Sequence, residues 1–156
     1  MSYEPVTPTL SHLFRAEVAL GDVQEVGETP QGRRRIISII GGAFTGERLS
    51  GVVLPGGADW QIARSDGVAV LDARYTLRTS DGALIYVCNR GLRHGPPEVL
   101  AQLARGEAVD PMAYYFRATP MFETGATQYA WLNNLIAVCS GMRKKDAVVL
   151  DFYEVQ

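Results

Sequence analysis

Apolar and polar residues alternate along much of this chain with a period of two, the spacing expected of strands whose faces meet different surroundings. Leu13 to Leu20, Arg34 to Ile40, Glu47 to Leu54, Val68 to Arg78, Ala83 to Asn89, Ala113 to Thr119, Leu135 to Ser140 and Ala147 to Val155 either alternate in this way or are rich in β-branched and aromatic residues. They predict eight strands. Trp60 to Arg64, flanked by Gly56-Gly57 and Ser65-Asp66-Gly67, predicts a ninth, and Ser80-Asp81-Gly82 between two strong runs marks a hairpin turn. Gly41 to Gly46 reads as a tight hairpin with close backbone approach. One segment breaks the pattern. Pro96 to Gly106 starts with prolines, carries Glu98 in its first turn, spaces Val99, Leu100 and Leu103 helically and ends in Arg105-Gly106, which predicts one short helix. Gln128 to Asn134 adds a single helical turn. Residues 1–9, with Pro5 and Pro8, read as an extended arm, and 10–156 as a single domain.

An antiparallel series of this kind hides its edges most completely by closing on itself. The expected fold is therefore all-β, an antiparallel β-barrel of about 8–10 strands with one short helix, a sandwich being the alternative. In a barrel of about eight strands, side chains fill the interior or it holds one small ligand.

Composition narrows the functional classes. The 156 residues carry 15 Lys and Arg against 17 Asp and Glu, a formal charge of −2, with 47% hydrophobic and 21% charged residues. Nothing in that balance calls for nucleic acid. Arg33-Arg34-Arg35 and Arg143-Lys144-Lys145 each abut a turn and read as solvated hairpin ends. No apolar run approaches the roughly 18–20 residues that span a bilayer, so no membrane partner is expected. Two cysteines, Cys88 and Cys139, without a cleavable apolar leader, suggest a reducing, cytoplasmic setting. With His12 and His94 as the two histidines and no Cys-x-x-Cys or His-x-x-x-His spacing, neither a metal nor a cofactor is expected.

Candidate chemistry comes from polar residues within apolar strands, because a charge withdrawn from water must be paired or put to use. The turn from Leu54 to Ala58 delivers Asp59 and Trp60 together. Along Val70 to Arg78, Asp72, Arg74, Thr76 and Arg78 share one face and Leu71, Ala73, Tyr75 and Leu77 the other. Either the polar face is solvated outside, or Asp72 and Arg74 point into the lumen as a pair. Ala113 to Thr119 poses the same choice for Tyr115 and Arg117, which together would suit an anionic or aromatic ligand. Glu123 beside Phe122, and the run of Tyr129, Trp131 and Asn133, complete the set of candidates.

Several of these segments occur together as Gly32-Arg33-Arg34, Gly41-Gly42-Ala43-Phe44-Thr45-Gly46, Leu54-Pro55-Gly56-Gly57-Ala58-Asp59-Trp60, Asp72-Ala73-Arg74-Tyr75, Thr79-Ser80-Asp81-Gly82-Ala83 and Trp131-Leu132-Asn133. In that order they resemble the domain of unknown function 3237, also called uncharacterised protein family 0311, over about residues 10–156. The resemblance implies a single-domain β-barrel of the calycin or allene-oxide-cyclase-like kind, often oligomeric, with no assigned reaction.

The leading functional reading is a barrel that binds a small, partly apolar, oxygenated or aromatic metabolite. A cofactor-independent acid/base step would suit it: isomerisation, cyclisation, or hydration and its reverse. A carboxylate in an apolar cavity has its pKa raised, which would let Asp59 or Glu123 move a proton. Arg74 or Arg117 would orient the ligand or stabilise negative charge, with Tyr115 as an auxiliary donor and Tyr129 and Trp131 as walls. The alternatives are a lipocalin-like carrier or sensor without chemistry, and a structural subunit with a filled lumen. Tyr75, Leu77, Tyr114 and Phe116 lie on strand faces too extensive for one short helix to cover, which predicts a homo-oligomer.

Overall fold

A computed structural model describes residues 1–156, of which the first nine are exposed and carry no regular element. Nine strands follow: β1 (Leu10–Thr29), β2 (Gly32–Thr45), β3 (Ser50–Val53), β4 (Gly57–Ala63), β5 (Ala69–Thr79), β6 (Leu84–His94), β7 (Tyr115–Glu123), β8 (Ile136–Arg143) and β9 (Ala147–Val155). Their order is β1-β9-β8-β7-β6-β5-β3-β2-β4, and further pairings of β1 with β2 and of β5 with β4 close the sheet. β3 and β4 follow one another along the gap between β2 and β5, each pairing with both. The result is an antiparallel β-barrel with a ring of eight strand positions. One α-helix, α1 (Pro97–Ala104), and 3-10 segments at Pro111–Ala113 and Thr127–Asn134 complete the chain. No helix is long and apolar enough to cross a membrane.

Two strands do the bending that closure requires. β1 shifts register against β2 between Ala19 and Leu20, between Leu20 and Val23, and between Glu25 and Gly27. In β2 the bend falls at Gly41 and Gly42, which lie inside the strand rather than in a hairpin; the turn into β3 comes later, where Gly46 N–H donates to the Leu49 carbonyl. Gly42 has φ +135°, and a Cβ there would stand 2.1 Å from the Glu17 carbonyl oxygen of β1. The glycines thus serve close approach and curvature, not reversal. β6 also runs five residues past Asn89, to His94.

The barrel interior has two unlike halves. At one end Phe14, Phe44, Phe122 and Phe152 form an aromatic plug, with Phe14 stacked on Phe152 at 4.4 Å between ring centroids. Leu77, Ile85 and Val87 are fully buried around it, and Leu132 of the Thr127–Asn134 segment covers it. Each such apolar side chain contributes about 1.5–3 kcal/mol of transfer free energy. Tyr75, Leu77, Tyr114 and Phe116 all belong to this interior, so barrel closure itself covers the strip that suggested a partner chain. At the other end polar side chains take over the inward positions, and α1 lies across the opening with Leu103 buried.

Candidate functional site

The polar half of the lumen follows from strand parity. Asp59 and Gln61 are two apart on β4 and point inward, leaving Trp60 outside; on β6 the inward series continues through Val87, Asn89, Gly91 and Arg93. β5 contributes Tyr75, and β8 ends in Arg143. Together Asp59, Gln61, Tyr75, Asn89, Arg93 and Arg143 share a cavity of about 50 Å³ with apolar side chains of β1, β2 and β9. That is room for a few water molecules. A second hollow of about 140 Å³ lies beneath α1, walled by Leu100, Leu103 and Ala104 of the helix and by Arg35, Arg93 and Arg143 of the barrel. Arg93 and Arg143 stand between the two spaces.

Asp59 is held in place at a gap in the sheet. The β4–β5 ladder pairs Asp59 with Ala73 and Ile62 with Val70 but has no pairing at Trp60 and Gln61. There the Asp72 backbone N–H donates to Asp59 Oδ1 at 2.9 Å, and Gln61 Nε2 donates to Oδ2 at 3.3 Å. Burial pushes the Asp59 carboxyl above the ordinary aspartate value; these two donors and the positive charge of Arg93 only partly offset it. The same desolvation, with repulsion from Arg143, brings Arg93 down to about 10, and Arg143 is lowered by burial and by Arg35. Two further groups are unusual. Tyr75 Oη and Asn89 Oδ1 are buried without any hydrogen-bond partner, an arrangement that costs about 1–3 kcal/mol per group unless something else satisfies it. Burial pushes the Cys139 thiol up to about 12, so it is no nucleophile at neutral pH. No group of three or more His, Cys, Asp or Glu side chains is brought together to hold a metal ion.

Of the residues singled out in the sequence, the structure places Asp59 in this cavity and the others elsewhere. Arg74 is exposed on the outer face of β5, where its guanidinium lies 3.4 Å from Asp72. The polar face of β5 is therefore the solvated one, and the Asp72–Arg74 pair does not enter the lumen. Trp60, Asp72, Tyr115 and Arg117 do come together, but around a hollow of about 800 Å³ on the outside of the sheet. Glu123 is exposed at the far end of β7. Tyr129, Trp131 and Asn133 sit at the aromatic-plug end, opposite to Asp59. There Tyr129 donates to Asp81 at 3.1 Å, Trp131 is covered by the Arg48 guanidinium at 3.5 Å, and Asn133 brackets the Thr124 backbone with two 2.9 Å hydrogen bonds. Glu123 and these three residues line neither the lumen nor the space under α1.

Arg35, Gln61, Tyr75, Asn89, Arg93 and Arg143 were not legible as site residues, although parity carried part of the signal. Gln61 is two residues from Asp59, and Asn89 shares the parity of Val87. Arg93 lies beyond the apparent end of its strand. Arg35 and Arg143 each sit in a basic run that looks like a solvated turn, but one arginine of each run points inward.

The model of the family described as protein of unknown function (DUF3237) matches residues 8–155. The chain belongs to that family. Among DUF3237 relatives it is 48% identical over 152 residues to the UPF0311 protein RPA1785 of Rhodopseudomonas palustris, a match covering 96% of this chain and 99% of that protein. The crystal structure of RPA1785 superposes with a TM-score of 0.94 at 46% identity, over 97% of this chain and 100% of that one. A β-barrel like protein of Acinetobacter baumannii gives 0.88 at 48% identity over 99% and 100%. A more distant sequence relative, 24% identical over 152 residues (97% of this chain, 87% of that protein), is the hydroalkoxylation enzyme phnH of Penicillium herquei.

Proposed function

We propose that this chain is a cofactor-independent enzyme that moves a proton on a small, partly apolar, oxygenated molecule seated beneath α1 and reaching into the polar half of the barrel, with Asp59 as the group that carries the proton. The observation behind this reading is the position of Asp59: a carboxyl in a desolvated lumen, raised above the ordinary aspartate value by burial, fixed by two donors and faced by arginines. A general acid or base works best when its pKa lies near the working pH, and burial is the usual way to bring an aspartate there. Tyr75 Oη and Asn89 Oδ1 offer an unspent hydrogen-bond donor and acceptor to a bound molecule in the same space.

The name of the distant relative is compatible with this chemistry. Hydroalkoxylation adds an O–H across a carbon–carbon double bond; one carbon receives the proton, the other the oxygen, and no net oxidation occurs. For this chain the reaction class is additions of that kind and their reversals, including cyclisation and hydration. Protonated Asp59 would give its proton to the unsaturated carbon skeleton and regain one from the attacking hydroxyl. In the reverse direction, where ionised Asp59 takes the proton from a carbon next to a carbonyl, Arg93 would stabilise the negative charge that develops on the carbonyl oxygen.

The test is a panel of unsaturated phenols, enones and hydroxyalkenes incubated with the purified chain, with products resolved by mass spectrometry. Asp59→Asn is expected to lower turnover of any substrate found by about 10²–10⁴-fold while the fold is kept. Turnover that survives Asp59→Asn overturns the assignment. Molecules retained without turnover by both forms would instead identify a carrier.

A further inference from the structure

Three arginines from three separate strands, Arg35 on β2, Arg93 on β6 and Arg143 on β8, end at the same rim of the barrel beneath α1. Their electrostatic surroundings differ. Arg35 donates to Glu25 at 3.0 Å, a carboxylate it shares with Arg33, and lies 3.5 Å from Gln61 Oε1, so it has acceptors within the protein. Arg93 and Arg143 form no salt bridge, and neither side chain donates a hydrogen bond to any protein acceptor. Arg93 keeps only a ring face, with its guanidinium 5.8 Å from the Phe116 centroid. The carboxylate acting on both is that of Asp59, which burial drives toward its neutral form.

Two desolvated guanidinium groups that repel one another and share no acceptor are costly in a fold with nothing else to gain from them. They become favourable when a ligand brings negative charge to the space they share. The neighbours set the kind of anion. Leu100, Leu103 and Ala104 close one side of the 140 Å³ hollow, so the anionic group must sit on an apolar skeleton rather than keep a full hydration shell. A hollow of that size matches a single ring or a short chain; cavities of about 150 Å³ accept benzene. Beyond the arginines lie Asp59 and the unpartnered Tyr75 and Asn89.

We infer that the substrate carries an organic oxyanion, a carboxylate or an ionised enol or phenol, whose oxygens are held between Arg93 and Arg143 beneath α1 while the reacting part reaches toward Asp59. This assignment rests on the lumen's being the working site, and it names the substrate class of that site. Guanidinium groups supply paired, charge-assisted donors that match such oxygens in one plane.

Benzoate and 4-nitrophenolate are suitable probes of the full-length chain, with benzamide as the neutral match for benzoate and inorganic phosphate as a skeleton-free anion. Calorimetric titration is expected to show binding of at least one organic anion and at least tenfold weaker binding of benzamide and phosphate. Arg93→Gln and Arg143→Gln should each weaken the anion about tenfold, and the double variant should lose it. Because these arginines are unpaired in the free protein, the variants should melt no lower than the parent, which circular dichroism checks. Asp59→Asn should keep or improve anion binding.

Failure of both organic anions to outdo benzamide, or unchanged binding by the double variant, overturns the inference. So does phosphate binding that equals or exceeds theirs. Anion binding that follows this pattern, combined with turnover indifferent to Asp59→Asn, would retain the oxyanion site and remove the proton-transfer role. Loss of turnover in Asp59→Asn without any anion preference would do the reverse.

Discussion

At Asp59 burial and pairing pull in opposite directions, and burial wins. The folded chain therefore keeps a proton that the unfolded chain has released once the pH passes the ordinary aspartate value. Between that value and the raised one the native state binds more protons, so stability falls as the pH rises through the window. The charges acting on it are Arg93 from β6, Arg143 from β8 and Asp72 from β5, and their sum does not bring Asp59 back to its ordinary value. Asp59→Asn removes the titrating group. Urea denaturation across pH should find the variant more stable than the parent at neutral pH, with the gap closing as the pH drops into the ordinary aspartate range. A constant gap would mean that Asp59 does not titrate in this window. What made Asp59 legible was a turn that delivers an acid into a strand. Arg74 and Asp72 were ambiguous because alternation gives two faces without saying which is inward, and the apolar face of β5 proves to be the buried one.

Strands and turns show the same limit in another form. Nearly every element was legible from alternation and turn chemistry, including α1, because each is dictated by local residues. Curvature was not, since it depends on which strand lies behind. Gly41 and Gly42 carry the residue type of a turn, yet they sit where β2 bends tightly against β1. Gly42→Ala is expected to destabilise the barrel by about 2–4 kcal/mol, since the added methyl meets the Glu17 carbonyl and the backbone is left-handed there. Chemical denaturation measures it; a loss below half a kcal/mol would show that β1 gives way freely. The extent of β6 belongs to the same lesson. Its last residues look like a loop because Gly91 and charged residues replace the β-branched run, but pairing with β7 carries the strand on to His94 and so brings Arg93 to the site.

Closure is the property of the whole molecule that decides which surfaces are left over. It buries the inner faces of β5 and β7 and turns their outer faces, with that of β4, to solvent. Trp60, Leu92 and Tyr115 stay 37%, 39% and 45% exposed around the outer hollow of about 800 Å³. Arg90 and Asp72 line it as well, and they lie 3.7 Å apart within the chain. Arg34 and Arg117, the other charges around it, donate to backbone carbonyls, and an apolar patch of this kind is suited to pack against a copy of itself about a two-fold axis, which brings the same residues together from both sides. The expectation of a homo-oligomer therefore moves from the inner strip to this outer face. Light scattering at micromolar concentration should give a multiple of the chain mass for the parent and the single-chain mass for Tyr115→Glu. Tyr115 points away from Arg93, so binding of benzoate or 4-nitrophenolate should be the same in both. A monomeric parent would remove self-association through this face and leave the lumen chemistry untouched, since the Asp59 cavity lies on the inner side of the sheet.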